Sequence, residues 1–307
     1  MKVVHPLAHK ARAFSLVEVL IATAILSALV LLLTSLISGV NRTWVAGEQQ
    51  VSAFQDGRAI CELISRELSQ AVMSPNLQLV QNPTFPPGLN PNESDPARER
   101  TGADSIFWQA PATSTSAGNI GEIGYYLTNN YELRRFFVPP DNAKYAIFTN
   151  APTDTSAPWI TTTFTSTEFN AACSIVSQGV LAFWVRCFDR NGDLIPWIPP
   201  GAGAAPLKFN SAAHFQPAIL GQGTSFKYTS AATTARANLL PAVVELTIVT
   251  LDPQTFRRNP TIPAQNAQSA PDDLPSVTAS FNQQLINNNI KTAHTFTTRV
   301  NLLNAAQ

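Results

Sequence analysis

The chain has 307 residues, with 20 basic and 20 acidic side chains, so its formal net charge at pH 7 is zero. Charged residues make up only 13% of the chain, and no basic cluster indicates a nucleic-acid-binding surface. The 23 prolines, with many Asn, Thr and Ala residues, predict extended strands joined by long polar loops rather than a helical bundle. The length fits one large or two small domains.

The N-terminal region contains a long apolar stretch that begins with one acidic residue. Glu18 is followed by residues 19–41 without a charge, and the next charged residue is Arg42. About 20 mostly apolar residues span the hydrocarbon core of a bilayer, so residues 14–41 are predicted to form a transmembrane helix. A carboxylate inside a membrane costs roughly 2.5–3.5 kcal/mol, so Glu18 requires a partner or a function.

The segment before this helix, residues 1–13, is basic and contains no acid. The positive-inside rule keeps this end in the cytoplasm and places the rest of the chain on the other side of the membrane. A secretory signal has an apolar region of about 7–15 residues that ends in a small-residue cleavage site. Here the small residue Ala13 precedes a longer apolar run. A plain signal anchor with an incidental Glu18 near the interface is the simpler alternative.

The residues Ala13-Phe14-Ser-Leu-Val-Glu18 before the apolar run resemble the class III signal of type IV pilins and type II secretion pseudopilins. The resemblance implies that a prepilin peptidase cleaves between Ala13, which replaces the usual Gly, and Phe14. It also implies that Phe14 becomes N-methylated and that Glu18 pairs with the free amino terminus of a neighbouring subunit. A buried carboxylate facing an ammonium is compensated only after that second subunit arrives.

The helix is predicted to continue beyond the membrane as an amphipathic part, residues 42–74. Residues 42–73 contain no proline, and Ser74-Pro75 ends the pattern because proline lacks a backbone donor and restricts the residue before it. Apolar residues with helical spacing mark one face of this part: Phe54, Cys61, Ile64, Leu68 and Ala71.

Residues 75–307 are predicted to form a periplasmic β-rich domain with long loops. The predicted strands are 105–109, 122–127, 132–138, 179–188, 240–251 and 295–303. A long loop is predicted at 75–104. An insertion rich in Thr, Pro and Ala is predicted at about 139–168, and one rich in Gly, Ala and Pro after Trp197, at 200–238. One short helix is predicted near 280–288.

Two turns are predicted between these strands. The residues 128–131 between two strand patterns predict a hairpin in which Asn takes the left-handed conformation, and Asn191-Gly192 is a strong hairpin signal. Glu245 interrupts the apolar face formed by Val243, Thr247 and Val249, so that face is predicted to meet water or a partner. Arg134-Arg135 is predicted to be a solvated strand end, with a subunit contact as the alternative. Trp108, Phe183 and Trp184 are predicted to lie in the core of a sheet.

The second half of the chain resembles the J-type minor pseudopilin of type II secretion systems. The resemblance rests on weak motifs in a shared order: Leu-Arg-Arg at 133–135, Gly-Val-x-x-Phe-x-Val at 179–185, Asp-x-x-Gly at 189–192, Trp197, and Leu-Pro-Ala-Val-Val-Glu-Leu at 240–246. It implies an α+β fold that is pilin-like, with a long N-terminal helix packed on an antiparallel β-sheet with long loops.

The three cysteines leave one unpaired if a disulfide forms. Outside the cytoplasm Cys173 and Cys187 could form a bridge, although the sequence does not place their Cα atoms within bonding range. Cys61 is predicted to pack as a small apolar residue on the helix.

No cofactor, metal site or enzymatic activity is predicted. His214 and His294 lack the neighbouring ligands that a zinc site needs. Residues 189–193 begin like a calcium loop, but Leu194 and Pro200 stand where such a loop needs Gly and Glu, so a hairpin turn is favoured. The sequence contains no nucleophile elbow.

These patterns favour a minor pseudopilin, a structural subunit of a type II secretion-like periplasmic pseudopilus. The resemblance implies as partners the prepilin peptidase, an inner-membrane assembly platform, and other pseudopilins or pilins that pack through the N-terminal helix. The chain would be a single-pass inner-membrane protein with its C-terminal domain in the periplasm, incorporated into a filament. The alternatives are a minor type IV pilin for adhesion, motility or DNA uptake, and a membrane-anchored enzyme.

Overall fold

The computed structural model describes residues 15–74, 77–90, 93–112, 118–146, 157–192, 194–195, 209–211, 240–258, 261–265 and 274–302. The chain divides into two compact units, Met1–Gln49 and Gln50–Gln307. The described part of the first unit is helical, and the second unit contains the β-sheets. The class is α+β, as the sequence predicts.

Helix α1 spans Leu16–Leu68, so it ends six residues before the predicted end at Ser74. Residues after Leu68 leave the helix because the backbone of Val72 joins a sheet. The Val72 N–H donates a 2.9 Å hydrogen bond to the Gln109 carbonyl, forming an isolated antiparallel bridge. Tertiary hydrogen bonding therefore ends the helix before Pro75 does.

The buried face of α1 within the second unit is shifted by one residue from the predicted face at its start. Phe54 is 53% exposed, whereas Ala53, Ile60, Ile64 and Leu68 are buried. Gly57 lies on the same buried face, where a Cβ atom would come 2.2 Å from the ring of Phe296.

Nine strands form two antiparallel sheets in the described part of the second unit. The strands are β1 (Leu79–Gln81), β2 (Ser105–Pro111), β3 (Ile120–Leu127), β4 (Glu132–Val138), β5 (Cys173–Gln178), β6 (Val180–Phe188), β7 (Phe209–Asn210), β8 (Val243–Leu251) and β9 (Ala293–Asn301). The helices after α1 are α2 (Pro158–Thr161), α3 (Ser166–Ala171), α4 (Pro253–Arg257) and α5 (Leu274–Asn287). All six predicted strands are present, and β1, β5 and β7 are additional.

The first sheet has six strands in the order β5-β4-β3-β2-β1-β7. The predicted hairpin is confirmed, with β3 and β4 paired from Glu122–Val138 to Leu127–Leu133. Its turn differs from the expectation, because Tyr131 and not an Asn takes the left-handed conformation, with φ 62°. The Arg100 guanidinium lies 4.3 Å from the centroid of the Tyr131 ring, a tertiary contact that favours this residue in the turn.

The second sheet has three strands in the order β6-β8-β9. Its register shifts between Val180 and Ala182, so a bulge places both Leu181 and Ala182 on the same side, in one hydrophobic cluster. The predicted turn after β6 is confirmed. Gly192 has φ 82°, and Phe188 bridges to Leu194 on the returning chain.

The main core lies where the buried face of α1 meets one face of each sheet. Its aromatic members include Trp108 and Tyr125 of the first sheet and Phe183 of the second. Ile64 and Leu68 of α1 are fully buried in this core. The predicted core positions of Trp108, Phe183 and Trp184 are thus confirmed, since all three are fully buried.

The insertion predicted at 139–168 contributes to a second core on the opposite face of the six-stranded sheet. Trp159, Phe164 and Phe169 pack there against Phe107 and Phe136. Residues 147–156 lie outside the described residues, and so does the predicted insertion at 200–238 except for residues 209–211. The predicted loop at 75–104 also contributes to the protein interior, because it contains β1 together with the buried residues Phe85 and Leu89.

A third core covers the opposite face of the three-stranded sheet. Helix α5, longer than the short helix that the sequence predicts, packs Phe281 against Trp184 with ring centroids 5.8 Å apart. Leu285 of α5 packs with Val249 and Leu251 of β8 in the same cluster.

Side chains form hydrogen bonds with the backbone groups on the outer edge of β6. The Val185 N–H donates to Asp104 Oδ2 at 2.8 Å, and the Val185 carbonyl accepts from Gln81 Nε2 at 2.9 Å. Gln265 Oε1 accepts from the Phe183 N–H at 3.2 Å, and Gln265 Nε2 donates to the Phe183 carbonyl at 3.0 Å. The hydrogen bond from Gln81 of β1 joins the two sheets, and all of these bonds protect a strand edge that would otherwise expose unpaired backbone groups.

Candidate assembly site

The first part of α1 presents apolar side chains on all of its sides. Between Leu16 and Val45 the described side chains are exposed, and the large apolar ones are Leu16, Val17, Val19, Leu20, Ile21, Ile25, Leu26, Leu29, Val30, Leu31, Leu32, Leu33, Leu36, Ile37, Val40, Trp44 and Val45. An 18-residue stretch of this helix is apolar enough to cross a membrane, and none of it is buried. An exposed apolar surface of this size marks a membrane or protein interface.

The hydroxyl groups within this apolar stretch have their hydrogen-bond partners inside the helix. The Thr23 hydroxyl donates to the Leu20 carbonyl at 3.0 Å, and the Ser27 hydroxyl donates to the Thr23 carbonyl at 2.8 Å. The Thr34 hydroxyl donates to the Val30 carbonyl at 2.8 Å. Because these groups need no partner from water, they reduce the cost of placing the helix in a lipid environment.

Glu18 and Ser15 form a capping box at the start of α1. The Ser15 N–H donates to Glu18 Oε2 at 2.9 Å, and Ser15 Oγ accepts from the Glu18 N–H at 3.2 Å. The pattern Ser-x-x-Glu before an apolar run is the sequence signature of this cap. Glu18 therefore stabilises the first turn of its own helix, where a negative charge also complements the helix dipole.

The capping box occupies one of the two carboxylate oxygens of Glu18. Among the described residues, Oε1 has no hydrogen-bond partner, and no cation lies along the helix before Arg42. Glu18 is exposed, so this oxygen is accessible to a group from another chain. The predicted cleavage residues Ala13 and Phe14 lie outside the described residues and stay predictions.

The second part of α1, Gln50–Leu68, is held to the first sheet by an ionic cluster that the sequence did not indicate. Glu67 Oε2 accepts a 2.6 Å hydrogen bond from the Tyr125 hydroxyl and a 3.0 Å hydrogen bond from Arg135 Nε. Burial, followed by the hydrogen bond to Glu67, raises the pKa of Tyr125. Arg134 pairs with Glu132 at 2.8 Å. The prediction that Arg134 and Arg135 form a solvated strand end is therefore wrong.

Cys173 and Cys187 do not form a disulfide in the structure, where both are free. Cys173 lies on the first sheet beside the second core, whereas Cys187 belongs to the main core on β6 of the other sheet. Burial raises the pKa of each thiol to about 12, so both are protonated and poorly reactive at neutral pH. Cys61 packs partly buried against the main core, as predicted for a small apolar residue.

The described residues contain no group of three or more His, Cys, Asp or Glu side chains that could hold a metal ion. His294 lies partly buried on β9, and His214 is outside the described residues. At the loop with calcium-like spacing, Asp189 Oδ1 accepts from the Asn191 N–H at 2.9 Å within a turn. Its last acid, Asp193, is also outside the described residues.

The N-terminal region of the chain matches the model of a known protein family. Residues 8–34 match the model of the prokaryotic N-terminal methylation motif, which includes the predicted cleavage residues and Glu18. A search of curated proteins with the whole chain gives no match. The motif implies processing by a prepilin peptidase and assembly with other pilins, and it indicates a structural rather than a catalytic protein.

The fold agrees with this signal. A long N-terminal helix followed by antiparallel sheets is consistent with a pilin-like fold, and the exposed apolar helix fits a membrane-anchored protein. The chain thus carries, at residues 8–34, the N-terminal methylation signal of type IV pilins and pseudopilins.

Proposed function

We propose that this protein is a minor pseudopilin, a structural subunit of a type II secretion-like periplasmic pseudopilus. The observation that carries the proposal is the fully exposed apolar part of α1 with Glu18 at its start, inside the matched methylation motif. The J-type assignment is supported by the sequence motifs at 133–135, 179–185, 189–192 and 240–246.

The proposed assembly step begins with the membrane-inserted precursor. A prepilin peptidase cleaves between Ala13 and Phe14 on the cytoplasmic side, and the new amino terminus at Phe14 is methylated. An inner-membrane platform then brings subunits together, so that their apolar helices pack against each other. The folded C-terminal unit remains in the periplasm and becomes part of the filament.

Glu18 has two roles in this proposal, and its two oxygens separate them. Oε2 caps its own helix through the Ser15 N–H, while Oε1 is left to accept the ammonium of Phe14 from a neighbouring subunit. A carboxylate in the hydrocarbon region is costly until it is paired, so the pairing favours the assembled state over the isolated subunit.

Mass spectrometry of the protein extracted from membranes tests the processing step. The proposal expects an N-methylated Phe14 terminus, and an intact Met1 terminus would contradict it. A neighbouring retraction ATPase gene, or pili on the cell surface, would instead favour a minor type IV pilin.

Two substitutions of Glu18 separate its charge from its cap. Gln at this position retains an acceptor for the Ser15 N–H and removes the charge, whereas Ala removes both the acceptor and the charge. We expect Glu18→Gln and Glu18→Ala to insert into the membrane and to reduce co-purification with partner pilins to a similar extent. Glu48→Gln, at an exposed acid further along α1, is the matched control. Normal association of Glu18→Gln would leave Glu18 with a capping role alone.

A further inference from the structure

Three charged residues form a row across the three-stranded sheet. Arg186 of β6 pairs in register with Glu245 of β8, and Glu245 pairs in register with Arg299 of β9. Directly opposite residues in antiparallel strands project from the same face, so the three side chains meet. We call these residues the Arg–Glu–Arg row.

Both oxygens of the Glu245 carboxylate are occupied within the row. Oε1 accepts from Arg186 Nε at 2.8 Å and also from Arg186 Nη2, and Oε2 accepts from Arg299 Nε at 2.7 Å. The guanidinium carbons of Arg186 and Arg299 lie 5.3 and 5.2 Å from the centroid of the Phe188 ring. The face of β8 that carries Glu245 is predicted to meet water or a partner, and exposure to water is wrong for it, because Glu245, Thr247 and Val249 are 4%, 3% and 0% exposed.

The row carries one positive charge in excess. Burial works against ionisation of Glu245, but the hydrogen bonds from Arg299 and Arg186 outweigh it and hold the pKa of this carboxyl below its usual value. Two guanidinium groups therefore surround one carboxylate. The side chain of Arg186 is 14% exposed and that of Arg299 is 65% exposed, so the excess charge lies at Arg299.

A hydrogen bond to Glu245 fixes one side of the Arg299 guanidinium. Its Nε is bonded to Oε2, whereas its Nη groups have no hydrogen-bond partner among the described residues. A guanidinium fixed in this way presents its outer edge to solvent, in a geometry that suits bidentate pairing with a second carboxylate.

Among the described residues, no hydrogen bond or ring contact joins the row to α5. Trp184, two residues before Arg186 on β6, packs against Phe281 of α5. At the next position on the same face, Arg186 is in contact with Glu245 and Phe188 instead. Arg186 by itself matches the single negative charge of Glu245, so the positive charge of Arg299 is the excess charge of the row.

We propose that the Arg–Glu–Arg row is a docking point for an acidic side chain of a neighbouring pilin-type subunit, with Arg299 making the bidentate contact. The proposal rests on the proposed function, since it takes place in an assembled filament. Charge complementarity argues for this occupant: a single excess charge on a fixed guanidinium fits one carboxylate. A polyanion such as nucleic acid would require a larger basic cluster than the row provides.

Photo-crosslinking in the native membrane tests the proposal with the full-length chain. Benzoylphenylalanine at Asn301, which is exposed and two residues beyond Arg299 on β9, would report on the neighbour of the row. We expect cross-links to a peptide of another pilin-type subunit that contains Asp or Glu. Arg299→Gln should lower their yield roughly threefold to fivefold, and high salt should lower it as well.

The matched control is Lys291→Gln, which removes an exposed positive charge near the other end of β9 and should leave the yield unchanged. Arg299→Lys retains the charge but loses the bidentate edge, so its yield should also fall. An unchanged yield in Arg299→Gln with intact protease resistance would overturn the proposal. Should Arg299→Gln lose protease resistance, Arg299→Lys decides, and a wild-type yield in that variant overturns the proposal.

A second cross-linking position separates this proposal from the proposed function. Benzoylphenylalanine at Leu29, on the exposed apolar part of α1, reports helix packing in the filament. If Leu29 gives cross-links and the yield from Asn301 does not change when Arg299 is substituted, only the docking point is contradicted. The absence of pilin-type cross-links from both positions would contradict the pseudopilin function itself.

Discussion

The two parts of α1 on either side of Gln49 belong to different units, and they use apolar side chains in opposite ways. Between Leu16 and Val45 apolar residues occur on every side of the helix and are exposed. Between Gln50 and Leu68 one stripe, which includes Ile60, Ile64 and Leu68, is buried in the main core, while Val51 and Phe54 stay exposed. An all-round apolar helix needs lipid or other helices, whereas a stripe needs only one core. The first part of the helix therefore exposes apolar side chains that lipid or other helices can cover. The second part already packs against the protein's own core.

Truncation of a large apolar side chain should change the free energy of unfolding very differently in the two parts of α1, and this is the largest effect expected. Ile64 is fully buried in the main core, whereas Leu33 is 57% exposed. Ile64→Ala should lower the free energy of unfolding by about 2–5 kcal/mol, because it removes apolar contacts and leaves a cavity. Leu33→Ala should leave it unchanged. Guanidinium unfolding of the detergent-solubilised protein, followed by fluorescence of the buried tryptophans, measures both, and equal effects would abolish the distinction.

Acidic residues of the exposed first part of α1 and of the folded second unit also differ. Glu18 of α1 is exposed, whereas Glu122 of β3 is fully buried. Glu122 Oε1 accepts from the Ala146 N–H at 3.1 Å, and Oε2 has no partner among the described residues. Burial raises the pKa of Glu122 to about 8. The folded state thus binds this proton more tightly than the unfolded state does.

The raised pKa of Glu122 gives the sign of a pH dependence. Its contribution to stability is fully present below the ordinary pKa of 4.5 and is lost as the pH rises through about 8. Between pH 5 and pH 7 the loss should be about 2–3 kcal/mol, from roughly 1.4 kcal/mol per unit. Glu122→Gln should flatten this slope in unfolding curves measured across the range. A slope that persists in the variant would assign it to other groups.

Two glycines of α1 provide a smaller and more closely matched contrast. A Cβ at Gly57 would lie 2.2 Å from the Phe296 ring, whereas nothing lies within 4 Å of a Cβ at Gly47. Gly57→Ala should lower the free energy of unfolding by about 1–3 kcal/mol through overpacking. Gly47→Ala should leave it unchanged or raise it by up to about 1 kcal/mol, because Ala favours the helix. Thermal unfolding of both variants measures the difference, and a stabilising Gly57→Ala would refute the close packing.

The smallest expected effect concerns the ionic attachment of the second part of α1. Glu67→Gln weakens the interactions with Tyr125 and Arg135 and should cost about 1–2 kcal/mol. Glu62→Gln, on the exposed side of the same helix, should change stability by less than about 0.5 kcal/mol. Denaturant unfolding distinguishes the two, and equal midpoints would show that Glu67 does not anchor the helix.

Much of the fold was predictable because local patterns determine it. The alternation in β8, the turn at Gly192 and the pairing of β3 with β4 follow from residues close together in the sequence. Two features that the sequence did not indicate depend on distant partners. Val72 leaves α1 because Gln109 offers a backbone acceptor, and Glu245 is buried because Arg186 and Arg299 flank it from other strands.

The candidate site shows the same division. The matched motif, the apolar run and Glu18 are adjacent in the sequence, so they were found without the structure. The Ser15 cap was also readable, as the pattern Ser-x-x-Glu. The Glu67 cluster was not readable, because its hydrogen-bond partners lie 58 and 68 residues away.

By itself the sequence determined that the N-terminal helix is apolar on every side and carries one acid at its start. Hydrophobicity and charge are properties of the residues alone, and they hold wherever the helix lies. The tertiary structure decided which stripe of the second part of α1 is buried, where α1 ends, that Cys173 and Cys187 lie on different sheets, and how Arg299 is held. These features depend on which strands pack beside each residue, and only the folded chain brings such distant residues together.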